Sequence, residues 1–245
     1  MTRKNDSRAD HQVGTDGQAP PGPAADHRVH THGQPLPALI ADLDAARERV
    51  EDAGAGAVLV LALGPATTAP WPGPGVAVHE VNKWERALRR VERLDAPVVA
   101  VAEGSCAGPA ADMLLVADVR IARTDLRIAL PRNDDRCWPG MALYRLVHQY
   151  GVARSRRIVL CEARLTAERA LAMGLVDEVT DEPQAALDAA LATLRTVSGT
   201  DWAIRRRLLL EAHDATFEDA LGAHLAACDR ELQRMRAGEL REVRP

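Results

Sequence analysis

Two uninterrupted apolar runs constrain this chain more than anything else in it. They are Val58-Leu59-Val60-Leu61-Ala62-Leu63, closed by Gly64-Pro65, and Pro97-Val98-Val99-Ala100-Val101-Ala102. Each has the length of a strand and lacks polar alternation, so each reads as a buried strand. Around them the apolar period changes to that of a helix. Leu39, Leu43, Ala46 and Val50 predict an amphipathic helix over 36–53, stopped at Ala55-Gly56, and Val81, Trp84, Leu88 and Val91 predict another over 78–94. After the second strand, 104–108 reads as a turn. Pro109 then opens a helix to about 117, because the amide hydrogen that proline lacks would have had no intrahelical partner there. Short strands follow at 119–122 and 127–130, ended by Pro131; beyond them the pattern is helical over 141–150, 153–161, 167–173, 183–197 and 202 to about 236. Strands alternating with helices, then helices alone, indicate an α/β core with a helical C-terminal region. The run Pro70-Trp71-Pro72-Gly73-Pro74-Gly75 must be a loop.

Residues 1–33 are rich in Asp, Gly, Pro, Gln and His with almost no apolar period, and predict a disordered tail. A short extended piece at 28–31 could add an edge strand. His27, His30 and His32 could hold a metal, but a solvated tail is the simpler reading, so no metal is expected. The organisation is then a tail over 1–33, a core over 34–182 and a helical region over 183–245. Aromatic residues make up 3% of the chain, so Ala, Val and Leu must fill the interior. The 31 basic and 35 acidic side chains give a net charge of -4, which argues against nucleic-acid binding. Cys106, Cys137, Cys161 and Cys228 are widely spaced and fit reduced thiols. With no apolar run long enough to span a membrane, a cytoplasmic location is expected.

Three stretches carry a family resemblance. Ala96-Pro97-Val98-Val99-Ala100-Val101-Ala102-Glu103-Gly104, Asp118-Val119-Arg120-Ile121-Ala122 and Arg164-Leu165-Thr166-Ala167-Glu168-Arg169-Ala170-Leu171-Ala172-Met173-Gly174-Leu175-Val176-Asp177-Glu178-Val179 resemble, in order, signatures of the crotonase (enoyl-CoA hydratase/isomerase) superfamily. The likeness spans about 36–240. It implies a crotonase-like ββα spiral core with a helical C-terminal trimerisation region. It also implies an acyl-CoA thioester substrate, coenzyme A arriving as the substrate's carrier with no permanently bound cofactor, and a homotrimer or dimer of trimers. A narrower likeness lies in Val81-Asn82-Lys83-Trp84-Glu85-Arg86-Ala87-Leu88-Arg89-Arg90 and Trp138-Pro139-Gly140-Met141-Ala142-Leu143-Tyr144-Arg145-Leu146-Val147. Both are similar to DpgB-type accessory proteins of dihydroxyphenylglycine biosynthesis. That implies work beside a type III polyketide synthase, by dehydration or isomerisation, in making 3,5-dihydroxyphenylacetyl-CoA for glycopeptide antibiotics.

Such chemistry needs backbone amides around a thioester enolate oxygen and carboxylates that move protons. The resemblance places the first amide site at Gly108, Pro109 and Ala110. Pro109 occupies the usual donor position and has no N–H, so Ala110 at the helix start is the expected donor. The second donor falls near Thr68. Asp112 falls on the family's first catalytic carboxylate, with a first-turn helix acid as its ordinary alternative. Arg132 stands at the second and cannot act as a base, which leaves Asp134 and Asp135 to supply one. Trp138 and Gly140 are expected in the acyl pocket wall. Two competing readings are a non-catalytic activator that binds the synthase and an α/β-hydrolase. The second rests on Gly104-Ser105-Cys106-Ala107-Gly108 as a nucleophile elbow, with Asp177 or Asp181 and His213 or His224 completing a triad.

Overall fold

The computed structural model of the chain describes residues 27–31, 33–65, 70–133, 136–161, 163–197 and 199–242. Thr68, Asp134, Asp135 and the expected tail up to residue 26 lie outside the described residues. The elements run β1 (His27–His30), α1 (Leu36–Ala53), β2 (Leu59–Leu63), α2 (Val78–Glu92), β3 (Val98–Ala102), β4 (Ser105–Cys106), α3 (Pro109–Val116), β5 (Val119–Arg123), β6 (Arg127–Ile128), β7 (Arg132–Asn133), β8 (Arg136–Cys137), α4 (Ala142–Leu160), β9 (Leu165–Thr166), α5 (Ala167–Ala172), β10 (Glu178–Thr180), α6 (Pro183–Leu194), α7 (Gly199–Glu211) and α8 (Phe217–Glu242).

Five strands form a parallel sheet in the order β1-β2-β3-β5-β10. The apolar runs are uninterrupted because this sheet is covered on both faces. Leu59, Leu61, Leu63, Val98, Ala100 and Ala102 face the main core. Their neighbours Val58, Val60, Val99 and Val101 face a smaller core closed by Leu187, Leu191 and Leu194 of α6. On the main side, α1 buries Leu36, Leu39, Leu43, Ala46 and Val50 at the expected spacing. Each leucine so buried contributes about 1.5–3 kcal/mol. The edge strand expected at 28–31 is present as β1, paired with β2 one residue earlier.

A second, smaller sheet orders β4-β6-β9, and β7 pairs with β8 in a hairpin. In α4, Gly151 adopts φ 75°, ψ 162°, a conformation that breaks the run into the two helical segments expected from sequence. The single long C-terminal helix expected from 202 onward is instead two. Thr216 starts the second: its Oγ1 accepts from Asp219 N at 3.3 Å and donates to Asp219 Oδ2 at 2.8 Å. That Thr-x-x-Asp cap satisfies one of the free amides at the start of α8.

The C-terminal region is tied to the core by one buried charge pair. Arg206 of α7 donates to the carbonyls of Leu94 (2.7 Å) and Ala96 (2.6 Å) and pairs with Asp118, which follows α3. Asp118 Oδ2 also accepts from Val98 N at 2.8 Å and from Trp202 Nε1 at 3.1 Å. Among the described residues no helix is long and apolar enough to cross a membrane.

Candidate active site

The strand-turn-helix unit β3–β4–α3 sets up a cavity of about 820 Å³. One wall is the start of α3, through Gly108, Pro109 and Ala110; another is the Pro/Gly loop, through Trp71; Arg127 and Arg164 contribute positive charge. Gly108 makes the turn possible. Its φ is 58°, which strains any other residue, and a Cβ there would sit 3.2 Å from Trp71 Cγ, close enough that the indole would have to give way by a few tenths of an ångström. The first turn of α3 leaves the amides of Ala110 and Ala111 without intrahelical acceptors. Pro109 supplies none. Of this first turn, Gly108, Pro109 and Ala110 reach the cavity wall.

Trp71 is held from two sides. Asn133 of β7 accepts from Trp71 N at 3.0 Å and donates to its carbonyl at 2.8 Å, fixing the backbone of a loop that has no ladder of its own. The indole meets Trp84 of α2 edge-on, with ring centroids 5.6 Å apart. Trp84 Nε1 in turn donates to Asp112 Oδ2 at 3.0 Å. Asp112 is 3% exposed and does not line the cavity; Trp71 is the residue that does. Burial, reinforced by the nearby Glu85 carboxylate, pushes Asp112 up to about 6. The Trp84 hydrogen bond and the Arg145 charge oppose this, with a further opposing contribution from Trp71. Arg145 is itself buried, bridging Glu85 and Glu92 at 2.9 Å each. Behind the cavity wall therefore lies a compact set of three carboxylates and one guanidinium.

Of the residues expected at the site, Gly108 and Ala110 line the cavity and Asp112 sits behind it. Trp138 and Gly140 follow the cavity-lining Cys137; the Trp138 ring packs on the core, and its Nε1 lies where a Gly140 Cβ would come within 2.8 Å. Thr68, Asp134 and Asp135 fall outside the described residues. The hydrolase triad is not assembled. Cys106 is fully buried and its thiol is pushed up to about 12, by burial first and by Asp112 second, so no thiolate is available. Asp177 accepts from Arg120 N at 2.7 Å, Asp181 from Thr124, and His213 contacts Asp214. Sequence reading missed Trp71, Trp84 and Asn133 as site residues. The available signal was two tryptophans in a chain with so few aromatics, one of them inside a loop of prolines and glycines.

The chain is similar to known proteins over most of its length. Residues 78–239, well over half of the chain, match the family model described as enoyl-CoA hydratase/isomerase. An "Enoyl-CoA-hydratase" of Amycolatopsis orientalis is 46% identical over 198 residues, covering 80% of this chain and 90% of that one. Among solved structures, an enoyl-CoA hydratase/isomerase from Cupriavidus metallidurans superposes with a TM-score of 0.69 at 22% identity, over 83% of this chain and 80% of that chain. An enoyl-CoA hydratase from Mycobacterium smegmatis superposes at 0.70 and 18% identity, over 83% and 87%. These two likenesses concern the fold.

Proposed function

The chain belongs to the enoyl-CoA hydratase/isomerase family, and from that premise we propose that it handles a polyketide-type acyl-CoA thioester beside a type III polyketide synthase, in the formation of 3,5-dihydroxyphenylacetyl-CoA for dihydroxyphenylglycine and glycopeptide antibiotics. The observation that carries the reading is the cavity walled by the start of α3, where Ala110 offers its end of the helix to a developing oxyanion. Arg127 and Arg164 on the same cavity suit the phosphates of a coenzyme A carrier. In this reading Gly108, Ala110 and Thr68 surround the thioester, and Trp138 and Gly140 back the acyl group. Asp112 is the acid/base, with Asp134 and Asp135 as further carboxylates. The proton abstracted next to the thioester leaves an enolate, and water departs as the hydroxyl takes up a proton. A trimer through the C-terminal helices, in a cytoplasmic setting, belongs to the same proposal.

A second reading has support of its own. Pro109 offers no amide, Arg132 stands at the second carboxylate position, and Trp71 lies between Asp112 and the cavity. These features favour an activator that binds the synthase and a thioester with little chemistry of its own. Product formation by the synthase, measured alone, with the wild type and with Asp112→Asn, separates the two. A tenfold or greater loss of stimulation in the variant supports the acid/base role; equal stimulation supports the activator. Absence both of stimulation and of acyl-CoA binding removes both readings. Rapid water addition to a short enoyl-CoA would instead make the chain a stand-alone hydratase.

A further inference from the structure

A second cluster of chemistry-bearing side chains, remote in role from the cavity, lies where α4 meets the turn between α7 and α8. His148 projects from α4, and His213 and Asp214 occupy the turn between α7 and α8. The His213 Nδ1 atom lies 2.8 Å from Asp214 Oδ1, and His148 Nδ1 lies 3.6 Å from Asp214 Oδ2. The two imidazoles are tilted 53° to one another with ring centroids 4.6 Å apart. One ligand atom from each of the three residues can be chosen so that all lie within 4.8 Å of one another. Zinc bonded to nitrogen and oxygen at about 2.0–2.1 Å requires ligand atoms roughly 3.3 Å apart, so small side-chain rotations of the exposed His213 and Asp214 suffice.

We propose that His148, His213 and Asp214 form a binding site for a divalent transition-metal ion of the zinc class. Two imidazoles and a carboxylate are a donor set that suits such ions and leaves a fourth position for water. The set is also partly organised in advance. Tyr144, one turn earlier on α4, stacks on His148 with centroids 5.5 Å apart and planes within 14°, which fixes one ring plane. The bound ion would join α4 to the turn from which α8 departs. That linkage matters because α8 packs on α7 while Phe217, Leu225, Leu232 and Met235 remain exposed.

The test is zinc titration of the full chain, stripped with a chelator, by competition against a chromophoric zinc indicator. The wild type, His148→Ala, Asp214→Asn and the control His224→Ala, an exposed histidine on α8, are compared. Every variant keeps the N-terminal histidines, so background binding is common to all. The expected result is one high-affinity equivalent in the wild type and His224→Ala, weakened at least tenfold in both cluster variants. Zinc should also raise the Tm of the wild type and not that of Asp214→Asn, which, being exposed, leaves folding intact. Equal zinc binding by wild type and both cluster variants, or no binding above background by the wild type, overturns the site.

Discussion

The two ends of α3 carry two buried aspartates, and the contrast between them separates scaffold from site. Both Asp112, in the first turn, and Asp118, just past the last, accept a hydrogen bond from a tryptophan Nε1. Both are raised by burial. Asp118, however, holds Arg206 against itself, and that guanidinium pulls it back toward the ionised form. Among the described residues Asp112 has no such direct partner: Arg145, the cation whose charge acts on it, is engaged by Glu85 and Glu92, and Glu85 adds repulsion. A buried carboxylate with its own counter-charge is a fastener. One without it is kept titratable near neutrality, at a cost to stability, as a proton-handling group requires.

The largest way to break this contrast is to remove the counter-charge. Arg206→Met should leave the Asp118 charge buried without its counter-charge and free the carbonyls of Leu94 and Ala96, lowering unfolding stability by about 3–5 kcal/mol in urea titrations. If the loss is below about 1 kcal/mol, the pair is not the fastener. Next comes Asp112→Asn, which should act in the opposite direction. A carboxyl raised in the folded state from 3.8 to about 6 stabilises the fold fully below about 3.8. That contribution disappears as the pH rises through about 6, because the folded state then holds a charge it disfavours. The asparagine carries no such term. Its variant should therefore be more stable than wild type above pH 7, by on the order of 2–3 kcal/mol, with the pH dependence between 4 and 6 flattened. Should Asp112→Asn destabilise at pH 8 as much as Arg206→Met, the two aspartates are alike and Asp112 is structural.

Trp84→Phe is a smaller probe of the same end. It keeps the edge-on packing against Trp71 but deletes the donor to Asp112, at a cost of about 1–2 kcal/mol, and it should move the carboxyl further upward. Thermal unfolding with and without the donor checks the first effect, and carbon-13 titration of the aspartate checks the second. An unchanged midpoint for the titration would show that Trp84 contributes shape alone.

The sequence made the scaffold end legible and the site end only half so, for a physical reason. Apolar period depends on neighbours along one chain segment, which is why β2, β3 and the buried stripe of α1 were readable from Val58–Leu63, Val98–Ala102 and the 3–4 spacing of leucines. The candidate site depends on groups brought together from far apart. Asn133 clamps Trp71 across 62 residues, and Arg145 reaches Glu85 across 60. No local pattern encodes either contact. The family resemblance marked Asp112, with a first-turn helix acid as its ordinary alternative, but only the fold put Trp71 between it and the cavity. Pro109 and Arg132 were the local departures that could be seen, and both bear on chemistry rather than on architecture.

The smallest expected effect is the most discriminating, because it changes charge near Asp112 without touching its hydrogen bonds. Glu85 contributes to the elevation of Asp112 through space, second to burial. Glu85→Gln keeps an oxygen for Arg145 Nη1 while Glu92 retains the other side of the guanidinium. The variant should lower the Asp112 titration midpoint from about 6 toward the ordinary carboxylate range, by a fraction of the total elevation worth less than about 1 kcal/mol. If Asp112 works as a base, the acidic limb of stimulated product formation must move down in pH with the NMR midpoint, and if it works as an acid, the alkaline limb must. A midpoint that moves while the pH profile stays fixed would sever Asp112 from the chemistry. It would leave the α3 start as a thioester cradle for an activator.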